Sequence, residues 1–280
     1  MTVVLNGKIL QKSIAKKLKL KINNLKKKPV LVIFSADPKP ESLLYIKKKK
    51  EFGESIGCEV RHISFKEDRS LEEYKKQIIE KNLDREVDGI IVQLPFNFQG
   101  SVREIVNCID STKDVDGLSP VNISAIFSGE EEIIPATTRG ILEFFTHYEL
   151  PIKSKDVLIV GRSFLVGRPT AMAFINRGAT VTVCHSETLN LTDKLKKADI
   201  IISATGFSNL ISSEILNSEQ VVIDVGISVE RKGSIKGDVD FSTASKKVKA
   251  ITPVPGGVGP LTVASLFSNL VEATERRIDM

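Results

Sequence analysis

Short apolar runs rich in β-branched residues alternate along this chain with longer amphipathic segments, and this alternation constrains the fold more than any other feature. PVLVIFS (Pro29 to Ser35), CEVRHISF (from Cys58) and GIIVQLP (Gly89 to Pro95) each read as a strand. Between them lie a lysine-rich helical segment from about Ser42 to Ile56, stopped by Gly57, and SLEEYKKQIIEKNL, whose Ser70 and Glu73 have capping-box spacing. A first helix is predicted from Gly7 to Asn24, with Leu10, Ile14, Leu18 and Ile22 set among lysines. Strand, helix, strand, helix, strand at this spacing implies a parallel sheet with right-handed crossovers.

The pattern repeats after Pro135. Thr138 to Glu149 reads as a helix, Asp156 to Val160 as a strand, Gly167 to Gly178 as a helix and Ala179 to Cys184 as a strand. LTDKLKKA, DIIISA and VVIDVG (Val221 to Gly226) continue the alternation, and a last helix spans roughly Leu261 to Arg277. The reading is α/β: two units, the second Rossmann-like, with Leu150 to Asp156 as a junction. A length of 280 residues agrees with two domains at a soft prior of roughly 150 each.

Composition narrows the function classes. Hydrophobic residues are 41% and charged residues 27%, enough to build globular cores. No apolar run approaches the ~18–20 residues of a membrane span. The opening MTVVLNGKILQKS lacks a basic region followed by an apolar stretch, so it does not read as a secretory signal. Cys58, Cys108 and Cys184 are widely spaced, which argues against zinc-ribbon or thioredoxin chemistry and fits a reducing compartment. The net charge of +5 is mild, with lysines concentrated at Lys26–Lys28 and Lys47–Lys50. Such clusters describe a solvated helix face, a site for a small polyanion, or a nucleic-acid surface.

Several residues could carry chemistry. IVGRSFLVGRP joins a predicted strand to a predicted helix, where glycines allow close approach to a pyrophosphate and helix N–H groups hold its charge. Gly161, Arg162, Ser163 and Gly167 form a GxSxxxG pattern, which also describes a plain strand–helix turn. After the next strand come His185, Ser186 and Glu187. Arg162 and Ser186 could hold the 2′-phosphate of NADP; Glu187 would suit the free hydroxyls of NAD.

In the first unit, Tyr45 and Lys49 share a helix face. Neighbouring lysines would lower the pKa of Lys49 toward that of a general base, and the alternative is a solvated lysine stripe. Gln93 stands near the carboxyl end of its strand, where ligands meet parallel sheets. KDVDG supplies Asp114 and Asp116, as ligand acceptors or as an Asx turn. TPVPGGVGP (Thr252 to Pro260) is a rigid loop that could pass close to a ligand or simply lead into the last helix.

Together these segments resemble the bifunctional methylenetetrahydrofolate dehydrogenase/methenyltetrahydrofolate cyclohydrolase family. YIKKK, GIIVQLP, KDVDG, VGRSFLVGRP, ATVTVCHS, DVGI (Asp224 to Ile227) and TPVPGGVGPLTV follow the family's order. The resemblance implies a folate-binding catalytic domain over residues 1–137, a Rossmann-like NADP-binding domain over 138–260, a cleft between them, and a helix at 261–280 packed back on the first domain. It implies catalytic roles for Lys49, Tyr45, Gln93 and Asp116. Tetrahydrofolate derivatives would contact Tyr45, Gln93, Leu94, Pro95, Asp116, Pro255, Gly256 and Gly257. NADP, rather than NAD, would contact Gly161, Arg162, Ser163, Gly167, Ser186 and Ile227. No metal, nucleic acid or membrane is implied; a cytoplasmic homodimer is.

Three departures from the family's pattern bear on cleft shape and rate rather than reaction type. PATT (Pro135 to Thr138) stands where PCTP is usual, with the Thr138 hydroxyl available as a helix cap. Glu51 replaces a basic residue, and LSPVNIS follows KDVDG in place of an aromatic-rich turn. Two other classes are weaker fits. A non-catalytic dinucleotide-binding regulator would not need Tyr45, Lys49, Gln93 and Asp116 together. A nucleic-acid binder leaves VQLP and TPVPGGVGP without purpose.

Overall fold

Strand Val30–Ala36 is buried along its whole length because both of its faces are covered. Leu31 and Ile33 enter one core with Leu18, Ile22, Ile46, Ile56, Phe267 and Leu270. Val32, Phe34 and Ala36 enter a second core with Phe65, Tyr74, Ile78, Ile90 and Phe96. This is the continuous apolar run expected of a central parallel strand. Glu59–Phe65 pairs with it on one side and Gly89–Val92 on the other, both in parallel. The computed structural model describes residues 1–65, 70–96, 101–229 and 234–279.

Helix Pro40–Ile56 links the first two strands, and helix Leu71–Leu83 links Glu59–Phe65 to Gly89–Val92. Ser70 and Glu73 close the predicted capping box at the start of the latter. The chain thus leaves the central strand to one side and returns to the other. That reversal opens a switch point at the carboxyl ends of Val30–Ala36 and Gly89–Val92. Gln93 stands there, its N–H donating to Phe34 O at 2.7 Å.

A six-stranded parallel sheet repeats the logic. Its order is Val3–Val4, Ala250–Ile251, Val221–Asp224, Ile200–Ser203, Asp156–Val160 and Thr180–Cys184. Helix Gly167–Asn176 carries the chain from Asp156–Val160 outward to Thr180–Cys184. Helix Leu191–Lys197 brings it back to Ile200–Ser203, on the far side of Asp156–Val160. Gly161 follows the strand at this second switch point.

The chain divides into two compact units: Met1–Lys12 with Thr137–Thr262, and Ser13–Ala136 with Val263–Met280. The assignment of residues 1–137 to one domain therefore needs correction at its start. Val3 N donates to Lys249 O at 2.9 Å and Leu5 N to Ile251 O at 2.8 Å, which makes the first residues an edge strand of the larger sheet. Two residues are too few to show a strand period in sequence. The long helix Val258–Asp279 places Val263, Leu266, Phe267, Leu270 and Val271 in the core of the smaller-sheet unit. Met280, the end of the expected 261–280 segment, lies outside the described residues.

Other boundaries shift for local reasons. The lysine-rich helix begins at Pro40, whose fixed φ suits a first turn. The helix expected at Thr138 begins at Ala136, so the Thr138 hydroxyl is not its cap; it is buried and bonded to Thr170 Oγ1 at 3.0 Å. LSPVNIS is a helix start rather than a turn: Ser119 accepts from Asn122 N at the head of Pro120–Ser128. The short helices Val102–Val106 and Phe241–Ala244 have too few residues to show a helical period in the sequence.

Candidate active site

Helix Pro40–Ile56 docks on the smaller sheet through Ile46, Gly53 and Ile56, at helical spacing. Gly53 is needed there: a Cβ would come within 2.6 Å of the Phe267 ring and 2.7 Å of Val60. Lys49, three residues after Ile46 and four before Gly53, falls on this docking face and is half-buried, while Lys47, Lys48 and Lys50 are exposed. Burial lowers the pKa of Lys49, and the nearby Asp116 carboxylate opposes part of that shift. The cause is desolvation, not the neighbouring lysines, which reach water and are screened.

Lys49 Nζ donates to Gln93 Oε1 at 2.9 Å. Gln93 Nε2 in turn donates to Leu94 O at 2.8 Å, which fixes the amide with its oxygen toward the lysine. Leu94 is half-buried and Pro95 exposed, joined by a cis peptide bond. Tyr45, one turn before Lys49, is half-buried, and burial raises its phenol pKa. The ammonium over its ring is that of Lys48, 5.6 Å from the centroid, rather than that of Lys49.

The two aspartates of KDVDG divide the two roles read in the sequence. Asp114 is the turn builder: its carboxylate accepts from Gly117 N at 3.0 Å, Ser119 N at 2.6 Å and Asn122 Nδ2 at 2.9 Å. Asp116 is left for other work. Burial raises its pKa to about 6, with the Lys49 charge pulling down and Asp114 pushing up. Asn269 supports this segment by donating to Val115 O and Ile134 O, both at 2.9 Å. Its position in the last helix, far along the chain, gave no local signal. Tyr45, Lys49, Gln93 and Asp116 thus belong to one unit, and Lys49 couples to both Gln93 and Asp116.

The remaining expected residues lie in the other unit. Gly161 adopts φ 121°, and a Cβ there would come within 2.5 Å of Ala204 O. A Cβ on Gly167 would come within 2.1 Å of Gly161 O. Both positions therefore require glycine, and the strand–turn–helix has the backbone cradle that suits a dinucleotide. Ser163 Oγ accepts from Val166 N at 3.2 Å and Gly167 N at 3.3 Å, shaping the turn. Arg162, Ser186 and Ile227 are exposed at this end of the sheet. Glu187, also exposed, pairs with Arg162, Nη2 to Oε2 at 3.1 Å.

In the same unit Pro255 is exposed and follows a second cis bond, from Val254. Gly256, at φ 110°, accepts from Gly7 N at 3.0 Å. A Cβ on Gly257 would meet Pro253 O at 2.6 Å. TPVPGGVGP is therefore a folded loop that leads directly into helix Val258–Asp279.

The catalytic domain of tetrahydrofolate dehydrogenase/cyclohydrolase matches residues 5–116, and the NAD(P)-binding domain of the same family matches residues 135–278. A bifunctional FolD protein of Lactobacillus gasseri is 40% identical over 99% of both chains. The chain belongs to the tetrahydrofolate dehydrogenase/cyclohydrolase family. Among solved structures, the Campylobacter jejuni methylenetetrahydrofolate dehydrogenase/cyclohydrolase superposes with TM-score 0.96 at 38% identity, covering 99% of this chain and 100% of that one. The Trypanosoma brucei enzyme, solved with NADP and an inhibitor, gives TM-score 0.95 at 30% identity, covering 100% and 99%. For a member of this family, the smaller-sheet residues fall in the catalytic domain and the Gly161 turn in the NAD(P)-binding domain.

Proposed function

We propose that this tetrahydrofolate dehydrogenase/cyclohydrolase oxidises 5,10-methylenetetrahydrofolate to 5,10-methenyltetrahydrofolate and hydrolyses that product to 10-formyltetrahydrofolate. The observation that carries the residue roles is the half-buried Lys49, bonded to Gln93 and facing the charge of Asp116. Bound NADP supplies the hydride acceptor of the first reaction. Gly161, Ser163 and Gly167 would seat it, Arg162 and Ser186 would take its 2′-phosphate, and Ile227 would flank it.

In the hydrolysis, water adds to the electrophilic methenyl carbon. The neutral amine of Lys49 takes one proton from that water, leaving a carbinolamine, and returns it to the ring nitrogen as that nitrogen's bond to the carbon breaks; the carbinol hydroxyl releases its remaining proton to solvent as the formyl C=O forms. Desolvation favours the neutral amine, and Gln93 supports it by accepting an Nζ–H so that the lone pair faces the water. A carboxamide does this without the charge that would hold the lysine protonated. Asp116 would accept hydrogen bonds from the pterin, and Tyr45 would stack on the aminobenzoate ring. Leu94, Pro95, Pro255, Gly256 and Gly257 would complete the folate contacts.

The reading extends to a cytoplasmic homodimer, on the strength of the family resemblance; sedimentation equilibrium tests the dimer. Among the described residues, no helix is long and apolar enough to cross a membrane. An assay with methylenetetrahydrofolate and NADP, following NADPH and methenyl absorbance separately, tests the function. Both signals should rise, the methenyl signal then decaying to 10-formyltetrahydrofolate. Failure to form NADPH would overturn the dehydrogenase reading. Failure of added methenyltetrahydrofolate to decay faster than in buffer would overturn the cyclohydrolase.

A further inference from the structure

We propose that Glu187 sets the coenzyme selectivity of this chain by competing with the 2′-phosphate of NADP for Arg162, so that NAD is accepted beside NADP. The inference rests on the Gly161 turn being the coenzyme site. In a dinucleotide-binding unit, the adenine ribose lies at the end of the second strand, and an acidic residue about 20 positions past the glycine turn reads its 2′-hydroxyl. Glu187 follows strand Thr180–Cys184 and lies twenty residues beyond Gly167. Its carboxylate is bonded to Arg162, the cation best placed to read a phosphate in the same region.

The pair is not there to hold the fold. Its side chains are 52% and 75% exposed, and exposed pairs contribute little to stability. The turn that carries Glu187 is fixed by other bonds. Thr188 N donates to His185 O at 2.9 Å, His185 N to Thr188 Oγ1 at 2.9 Å, and Glu187 N to His185 Nδ1 at 3.3 Å. Glu187 is thereby held beside Arg162. An incoming phosphate must displace the carboxylate from the guanidinium and then remain near it, with like charges in proximity. A ribose diol meets no such repulsion and finds an acceptor. One residue thus lowers affinity for NADP and supports NAD, and the two coenzymes come within reach of each other.

The test measures dissociation constants for NADPH and NADH, from the fluorescence each nucleotide changes on binding, for the full chain and for Glu187→Gln. Glutamine keeps a hydrogen bond to Arg162 but not the charge. The unaltered protein should bind the two nucleotides within about tenfold. Glu187→Gln should tighten NADPH by about tenfold, leave NADH equal or weaker, and lose most of that gain at 0.5 M salt, where the charges are screened. A parallel change for both nucleotides would show a merely structural role and overturn the inference. So would an unchanged ratio. If the unaltered protein binds neither nucleotide, the coenzyme-site reading fails and the inference with it.

Discussion

The two sheets open switch points by the same chain reversal, yet furnish them differently. At the smaller sheet the functional groups are side chains taken partly out of water: Lys49 on the docking face of its helix, Gln93 fixed by Leu94, Asp116 with its pKa raised to about 6. At the larger sheet the furniture is backbone, with Gly161 and Gly167 packed too closely for side chains, and the charged pair Arg162–Glu187 stands in water. The contrast separates proton chemistry from binding. A proton-transfer group needs a perturbed pKa, and burial produces it. A coenzyme cradle needs shape and rigid N–H groups, which backbone provides.

The largest effect is expected at the desolvated site. Lys49→Ala should reduce methenyltetrahydrofolate hydrolysis on the order of 10²–10⁴-fold, the usual weight of a general acid–base group. NADPH binding should move less than twofold. A variant that hydrolyses methenyltetrahydrofolate at the native rate would remove Lys49 from the mechanism. Gln93→Glu sharpens the point. A carboxylate in place of the amide stabilises the protonated amine, so the pH at which hydrolysis switches on should move upward. An unmoved pH profile would mean that Gln93 does not address the lysine's proton.

At the backbone-built site the expected effect is smaller and falls on binding. Gly161→Ala puts a Cβ on a residue at φ 121°, a strain on the order of 1–3 kcal/mol, with Ala204 O in the way. NADPH affinity should fall at least about tenfold, and dehydrogenase activity should fall much further than hydrolysis. Equal losses in both reactions would mean that the turn supports the whole protein rather than the coenzyme.

These contrasts were unequally legible in the sequence. Strand and helix periods were strong enough to place Gln93 at a strand end and Tyr45 with Lys49 on one helix face. The same periods could not say which face of the lysine helix is buried, because Ile46, Gly53 and Ile56 acquire meaning only once Phe267, far along the chain, packs against Gly53. The cause of the Lys49 shift was therefore misread as repulsion among lysines. Glu187 shows the same limit: its partner Arg162 is 25 positions away, and only the pairing of Asp156–Val160 with Thr180–Cys184 brings the two loops together. The edge strand Val3–Val4 was invisible because two residues carry no period.

The smallest expected effect concerns stability, and it tests whether burial is the true difference between the two sites. An exposed aspartate has a pKa of 3.8, and burial raises that of Asp116 to about 6. The folded state therefore holds this proton more tightly than the unfolded state, so ionising Asp116 costs folding free energy. The cost is absent below about pH 3.8, grows as pH rises, and is complete above about pH 6. Asp116→Asn removes it, so the variant should be more stable than the native chain at pH 8, on the order of 1–3 kcal/mol or several degrees in melting temperature. The gain should disappear near pH 4. Folate affinity should fall about tenfold or more over the same change, because the pterin loses a charged acceptor. If Asp116→Asn instead lowers stability at pH 8, Asp116 holds the fold through Lys49, and desolvation is not what distinguishes the two sites.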